Sequence, residues 1–185
     1  DGLALGTAAR SFSDLFLASG GEINFVDGNA KITHNANKQI TFLADSGVTI
    51  PRRRFEITSS TDGNSNGDII YIGTTTVVIG KVYMWNGTAW VNTDADAVAT
   101  SNRLLGVAIG SGASNAVGML LRGAVTLDHD SGTAGDPIYL SVTPNQLTST
   151  APTGSGDVVR ACGFCLDSSD GQVWFNPDNT FTEIA

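Results

Sequence analysis

The chain has few of the side chains that most often bind metals or act as nucleophiles. It contains only two histidines and two cysteines among 185 residues. Cys162 and Cys165 form a single CxxC, and a zinc site would need two further ligands at a spacing that His34 and His129 do not provide. The CxxC therefore predicts two small buried side chains on a strand, with a local disulfide as the alternative. We expect no metal and no cofactor.

Catalytic motifs are scarce as well. The sequence has no phosphate-binding loop, no dinucleotide-binding fingerprint and no H-E-x-x-H motif. A Ser-His-Asp triad would have to use His34 or His129. His34 lies in a run of short repeats, which is an unsuitable location for a concave active site. The sequence therefore predicts that the protein is not an enzyme.

Charged residues make up only 15% of the chain, compared with about a quarter in typical soluble proteins. The 18 acidic residues outnumber the 10 basic ones, which gives a net charge of −8. This balance argues against binding to nucleic acid or to an anionic membrane. No apolar run reaches the roughly 20 residues that span a bilayer, so we expect no membrane insertion. We interpret Arg52-Arg53-Arg54 as a solvated joint or as partners of carboxylates, with an anion site as the alternative.

The chain is rich in the residue types that are typical of turns and short strands. It contains 22 glycines and many Ser, Thr and Asn residues, and its hydrophobic fraction of 41% suits a folded protein. This composition predicts an all-β protein. Because the chain begins with Asp1, we expect it to be a fragment or a processed product, with the missing part before residue 1.

The first third of the chain contains a repeat that is too short to fold alone. Apolar positions recur at intervals of 9, 8 and 8 residues, separated by Gly, Asn, Asp and Ser. Each unit is one short strand and one turn with a single apolar edge, and such units become stable by stacking or by meeting sister chains. Residues 1–54 are therefore predicted to form an N-terminal segment and a short trimeric β-shaft. The residues predicted to pack along its threefold axis are Ile23, Phe25, Ile32, Ile40, Phe42, Val48 and Ile50.

Residues 55–185 are predicted to form a β-rich head, a small barrel or sandwich. The best local signal is Trp85-Asn86-Gly87-Thr88, where Asn-Gly favours a type I′ turn and a hairpin. The predicted strands are 55–58, 68–72, 76–84, 88–92, 104–109, 117–127, 137–142, 146–149, 157–166 and 172–176.

The head also contains a longer repeat. Tyr83 and Tyr139 are 56 residues apart, and Gly106 and Gly163 are 57 apart. Each half has the order Gly, apolar-Tyr-apolar, polar hairpin, and an apolar strand that contains a Gly. We interpret this as an internal duplication of one β-unit, with coincidence in a Gly-rich chain as the alternative.

Two groups of polar and aromatic residues are candidate binding sites. Asp128 and Asp130 flank His129 and could hold Ca²⁺ with Asp136, but Asp and Gly at a strand end more often form a turn, which is the favoured interpretation. Asp94 and Asp96 form a similar pair. The aromatic residues could stack on sugar rings, but core or intersubunit packing is the favoured role. These residues are Tyr71, Tyr83, Trp85, Trp90, Tyr139 and Trp174.

Several segments of the sequence resemble segments of one class of proteins. Residues 13–25, with Asp27-Gly28-Asn29 and residues 32–34, resemble shaft repeats of bacteriophage tail-fibre and related virion appendage proteins. The head resembles modules of phage fibre and capsid-decoration proteins at residues 80–90, 104–109, 118–123 and 171–177. The resemblance implies a trimeric β-structure on the virion surface that recognises a host or reinforces the particle. It carries over no active-site residue.

Three functions are therefore considered, in this order. The first is a homotrimeric fibre or appendage, exposed on the virion surface for host attachment. The alternative is a capsid-decoration protein that stabilises the phage head, and the third is a surface-polysaccharide depolymerase. The expected partners are two further copies of the chain, other virion structural proteins and a host surface glycan, with no nucleic acid.

Overall fold

The structure, a computed structural model, describes residues 55–185. The predicted shaft, the Arg52-Arg53-Arg54 triplet and His34 lie outside the described residues. The predicted division at residues 54 and 55 stays a prediction. The residues predicted to pack on the threefold axis also lie outside the described range, namely Ile23, Phe25, Ile32, Ile40, Phe42, Val48 and Ile50.

The described part is mostly β, and its main sheet curls into a half-barrel, which confirms the all-β prediction for the head. The strands are β1 (Ser65–Ile70), β2 (Thr76–Val77), β3 (Val82–Trp85), β4 (Trp90–Asn92), β5 (Leu104–Ala108), β6 (Gly112–Ala113), β7 (Met119–Thr126), β8 (Pro137–Leu140), β9 (Leu147–Thr148), β10 (Val158–Val159), β11 (Ala161–Asp167), β12 (Gln172–Phe175) and β13 (Thr182–Glu183). Two single-turn helices are α1 (Val98–Ser101) and α2 (Ser114–Val117). Neither of these helices is long enough to cross a membrane.

The large sheet has nine antiparallel strands in the order β4-β3-β5-β7-β12-β11-β8-β9, with β1 also paired to β7. Strand β7 is its centre, since β5 pairs with its beginning and β12 with its end. The hairpin β3–β4 lies beside β5, and the hairpin β8–β9 lies beside β11. The two halves of the head thus have the same local strand order.

Alternate residues of the strands face two separate cores. Met84 and Leu105 are register partners in the main core, while the neighbouring Tyr83 faces the other side of the sheet. This alternation is what a strand dictates. The smaller core contains Trp90, whose indole N–H donates to the backbone oxygen of Ile72 at 3.2 Å. The main core runs along β3, β5, β7, β8, β11 and β12 and fixes the curl of the sheet.

The predicted strands differ from the observed ones in several places, and the predicted strand 157–166 divides at Arg160 into β10 and β11. The prediction of a strand over residues 55–58 is wrong, because the first described strand begins at Ser65. Residues 76–84 divide into β2 and β3, because the chain turns at Gly80, which has a φ of +75°. Strands β6 and β13 and both helices were not predicted, since each is only two to four residues long.

The predicted hairpin at Trp85 is confirmed, but its turn is not type I′. Trp85 pairs with Trp90 across β3 and β4. Gly87 has a φ of +108°, whereas Asn86 does not have the positive φ that a type I′ turn requires. The Asn86 carboxamide oxygen instead accepts hydrogen bonds from the backbone N–H groups of Thr88 and Ala89, both at 2.9 Å. The turn is held by a side chain rather than by two left-handed residues.

The CxxC lies on β11, and both thiols are free and buried, as predicted. Residues three apart on a regular strand point to opposite faces. Here a β-bulge lies between Ala161 and Gly163, so Cys162 and Cys165 both join the main core. Gly163 has a φ of +136°, and a Cβ at this position would lie 1.8 Å from the backbone oxygen of Trp174. The bulge therefore requires glycine.

We expect the thiols to be unreactive while the protein is folded. Burial raises the pKa of Cys162 to about 12, so this thiol stays protonated at neutral pH, and Cys165 is only 1% exposed. A thiol-disulfide reagent at pH 8 should release no chromophore from the native protein and two equivalents per chain after unfolding in guanidinium chloride. A fast equivalent from the native protein would contradict this placement.

Candidate functional site

The strongest polar candidate, Asp128-His129-Asp130, follows the end of β7. Asp128 accepts a hydrogen bond from His129 Nδ1 at 2.8 Å and pairs with Lys81 Nζ at 2.7 Å. His129 Nε2 accepts the backbone N–H of Leu147 at 3.0 Å. This chain of contacts joins β3, the end of β7 and β9. These contacts engage Asp128 and both ring nitrogens of His129. Nε2 is therefore not available to act as a general base for a nucleophile.

The described structure does not support the alternative interpretation of this segment as a Ca²⁺ site. Asp136 lies in the turn before β8, where its backbone N–H donates to Thr133, and Asp128 is engaged by Lys81. Within residues 55–185, no three His, Cys, Asp or Glu side chains lie close enough to share a metal ion. The turn interpretation of this segment is the one that the structure supports. A groove of about 220 Å³ beside it is lined by Asp62, Asp130 and Asp170 among others.

The electrostatics of Asp128 follow from these contacts. Burial raises its pKa, but the hydrogen bonds from Lys81 and His129 and the positive charge of Lys81 outweigh burial, so the pKa lies below its usual 3.8. A carboxyl whose pKa is lower in the folded state stabilises the fold above pH 3.8, and this stabilisation is lost as the pH falls through the folded pKa.

We therefore expect Asp128→Asn to lower the free energy of unfolding by about 1–3 kcal/mol at pH 7, because it removes charge-assisted hydrogen bonds. The difference from wild type should shrink below pH 3.8, because the carboxyl gains a proton first in the unfolded chain and, at a lower pH, in the folded protein. Urea unfolding at pH 7 and pH 3 measures this difference in the free energy of unfolding. Asp130→Asn, at an exposed position, serves as the control and should stay within about 0.5 kcal/mol of wild type. Equal losses at both pH values would contradict the assignment.

The second carboxylate pair also serves the fold. Asp94 Oδ1 accepts the hydroxyl of Thr100 at 2.7 Å and the backbone N–H of Asp96 at 3.3 Å. These bonds hold the turn that leads from β4 into α1. The Asp94 carboxylate therefore holds a local turn, as the turn interpretation of such pairs expects.

Residues 63–67 match the G-x-S-x-G pattern of a nucleophile elbow. Such an elbow needs a sharp turn from a strand into a helix. Ser65 is instead the first residue of β1 and lies opposite Val125 on β7, and the strand continues after it. The pattern belongs to a strand here.

The aromatic residues do not form a shared sugar-binding platform in the described structure. Trp90 and Tyr83 are buried in the smaller core, and the Tyr83 hydroxyl accepts the backbone N–H of Val78 at 3.0 Å. Trp85 packs on Trp90 with ring centroids 5.5 Å apart. Tyr71 alone among the six is largely exposed, at 56%. Core packing, part of the favoured interpretation, holds for Tyr83, Trp85 and Trp90.

Sequence reasoning missed the role of Arg160, which is only 2% exposed. Its guanidinium donates to three backbone oxygens, those of Ser101, Arg103 and Asp178. These contacts tie the end of α1 and the C-terminal segment to β10 and β11. The acceptors are backbone oxygens from distant parts of the chain, so no sequence motif marks them.

One surface of the head carries exposed apolar side chains on adjacent strands. Phe164 on β11 is the register partner of both Trp174 on β12 and Pro137 on β8, so the three lie in one row on the outer face. Phe164 is 53% exposed and Leu166, two residues further along β11, is 48% exposed. We call Phe55, Pro137, Phe164, Leu166 and Trp174 the apolar patch.

Phe55 completes this patch from outside the sheet. Its ring lies edge-on against the ring of Trp174, with centroids 5.0 Å apart and planes at 85°. This is a favourable arrangement for two aromatic rings. In the sequence, Phe55 directly follows the predicted N-terminal segment of residues 1–54.

Comparisons of the chain with protein-family models, with curated proteins and with solved structures found no match.

Proposed function

We propose that this protein is a structural protein of a phage virion, a homotrimeric fibre or appendage that is exposed on the particle surface for host attachment. The observation that carries the proposal is the apolar patch on the outer face of an otherwise well-packed head. Contiguous apolar side chains on a folded surface mark a site of protein association. Such a surface suits a protein whose role is to assemble.

The use of the chemistry-bearing side chains supports a structural role. His129 bridges Asp128 and the backbone of Leu147, and Arg160 binds three backbone oxygens. Both residues hold distant strands and loops together. We accordingly propose that the protein acts by assembly and binding rather than by catalysis.

The proposed trimer relies on the N-terminal repeat. Its apolar edge, from Ile23 to Ile50, has little to bury it within one chain, and two further copies would supply the missing surface. Other virion proteins and a host surface glycan are the proposed further partners.

We also propose that the head arose by duplication of one β-unit. The strand orders β4-β3-β5 and β9-β8-β11 match, and each unit begins at a left-handed glycine, Gly80 with φ +75° and Gly135 with φ +92°. Gly106 on β5 and Gly163 on β11 lie on the matching third strands. In both units a hairpin is followed by a third strand that pairs beside it, and this shared order supports the duplication.

Electron microscopy of intact phage particles, labelled with gold-conjugated antibodies against this chain, tests the function. Labels confined to fibres or other appendages are expected. Labels spread over the capsid surface would instead select the capsid-decoration alternative. Particles that contain the protein by mass spectrometry yet bind no antibody on their surface would contradict both.

A further inference from the structure

We infer that the apolar patch contacts a second copy of this chain next to the predicted threefold axis. The inference rests on the proposed function and adds to it the surface through which the heads meet. In a closed ring of three, each copy presents the same surface to its neighbour around the axis. The patch would therefore occur three times, once at each junction.

The composition and geometry of the patch fit a subunit contact. Pro137, Phe164 and Trp174 lie on three adjacent strands, and neighbouring strands are about 4.8 Å apart, so the row is broad and continuous. Aromatic residues are enriched at the centre of interfaces and charged residues are depleted there. The five patch side chains carry no charge, although the whole chain has a net charge of −8. The patch therefore contributes no charge of its own to a contact between two acidic copies.

The position of the patch on the chain points to a copy rather than to an unrelated protein. Phe55 belongs to the patch through its contact with Trp174, and 54 residues precede it. These residues contain the repeat that is predicted to bring three chains together. Phe55 directly follows that segment in the sequence, so the patch includes the described residue that is nearest to the predicted shaft along the chain. A second copy is therefore present at high effective concentration at this surface.

Photo-crosslinking of the full 185-residue chain tests this inference. The aromatic residue Phe164 is replaced by the photoreactive analogue p-benzoylphenylalanine, the protein is irradiated, and the products are separated under denaturing conditions. We expect covalent species of two and three chain masses, with the crosslink mapped by mass spectrometry to a neighbouring copy. The same analogue at Tyr71, which is 56% exposed and outside the patch, is the matched control and should give only single-chain species.

The outcomes separate the inference from the proposed function. A crosslink from residue 164 to residues 1–54 of the same chain would overturn the inference, because the chain's own N-terminal segment would then cover the patch. A wild-type protein of trimer mass with no crosslink from residue 164 would overturn the inference and leave the proposed trimer standing. A wild-type protein of monomer mass would overturn both.

A second variant keeps the test independent of the photoreactive group. Phe164→Ser combined with Leu166→Ser should lower the temperature at which the trimer dissociates, with the sheet retained by circular dichroism, because both side chains are exposed in the single head. Val142→Ser removes an equally exposed apolar side chain, at 43%, elsewhere on the head. It should leave that temperature unchanged. Equal effects of the two changes would contradict a role of the patch.

Discussion

Replacing Gly163 with alanine is expected to lower the free energy of unfolding by about 2–6 kcal/mol, from about 1–3 for the positive φ and about 1–3 for overpacking. The added Cβ would lie 1.8 Å from the backbone oxygen of Trp174, so two strands would have to move apart. Since domains are stable by about 5–15 kcal/mol, this is a large fraction of the total. Urea unfolding followed by tryptophan fluorescence measures the change.

Gly135→Ala is the matched control for Gly163→Ala. Gly135 also has a positive φ, +92°, but no atom lies within 4 Å of the position of a new Cβ. This variant should therefore show the conformational cost alone, about 1–3 kcal/mol. If the two variants unfolded at the same urea concentration, the close contact between β11 and β12 at Gly163 would be wrong.

Replacing Arg160 with methionine is expected to cost about 3–5 kcal/mol, because the oxygens of Ser101, Arg103 and Asp178 lose a buried donor, at about 1–3 kcal/mol each before relaxation. Methionine retains much of the volume of the arginine stem. The loss therefore reports on hydrogen bonding more than on packing. Urea unfolding at pH 7 measures it.

Two further variants serve as comparisons for the stability of Arg160→Met. Arg160→Lys keeps the charge but lacks the planar fork of five donors, so it should fall between wild type and Arg160→Met. Arg122→Met, on an exposed position of β7, should change stability by no more than about 0.5 kcal/mol. A stability of Arg160→Met equal to that of Arg122→Met would mean that the guanidinium does not hold the three segments together.

Local signals in the sequence predicted the local parts of the fold. The hairpin around Trp85 and Trp90 is confirmed, because alternating apolar residues flank a Gly-containing turn within a few residues. The buried CxxC is confirmed, because small side chains on an apolar strand belong to a core. Both depend on residues that are close in sequence.

Features that depend on distant residues escaped prediction. The predicted strand over residues 68–72 covers only the second half of β1, because Ser65, Asn66 and Gly67 do not mark a strand by composition or alternation. Strand β1 forms because β7 offers a free edge about 55 residues later, with Gly67 facing Gly123. The exposed row of Phe164 and Trp174 is likewise invisible in sequence, since it depends on the register of three strands.

In the candidate sites, too, local features could be predicted and contacts between distant residues could not. The turn interpretation of Asp128, Asp130 and Asp136 came from local sequence, and the structure supports it. The partners of Asp128 and His129 could not be predicted, because Lys81, just before β3, and Leu147, on β9, are distant in sequence. What a polar residue contributes here is decided by the long-range pairing that surrounds it.

The central claim is that single copies of this chain assemble into a trimer. Sedimentation equilibrium of the full chain across the micromolar range, in neutral buffer with physiological salt, measures the mass without reference to any particular contact. The claim predicts a single species of three times the mass of one chain, 19.2 kDa. A species of one chain mass at every concentration would contradict it.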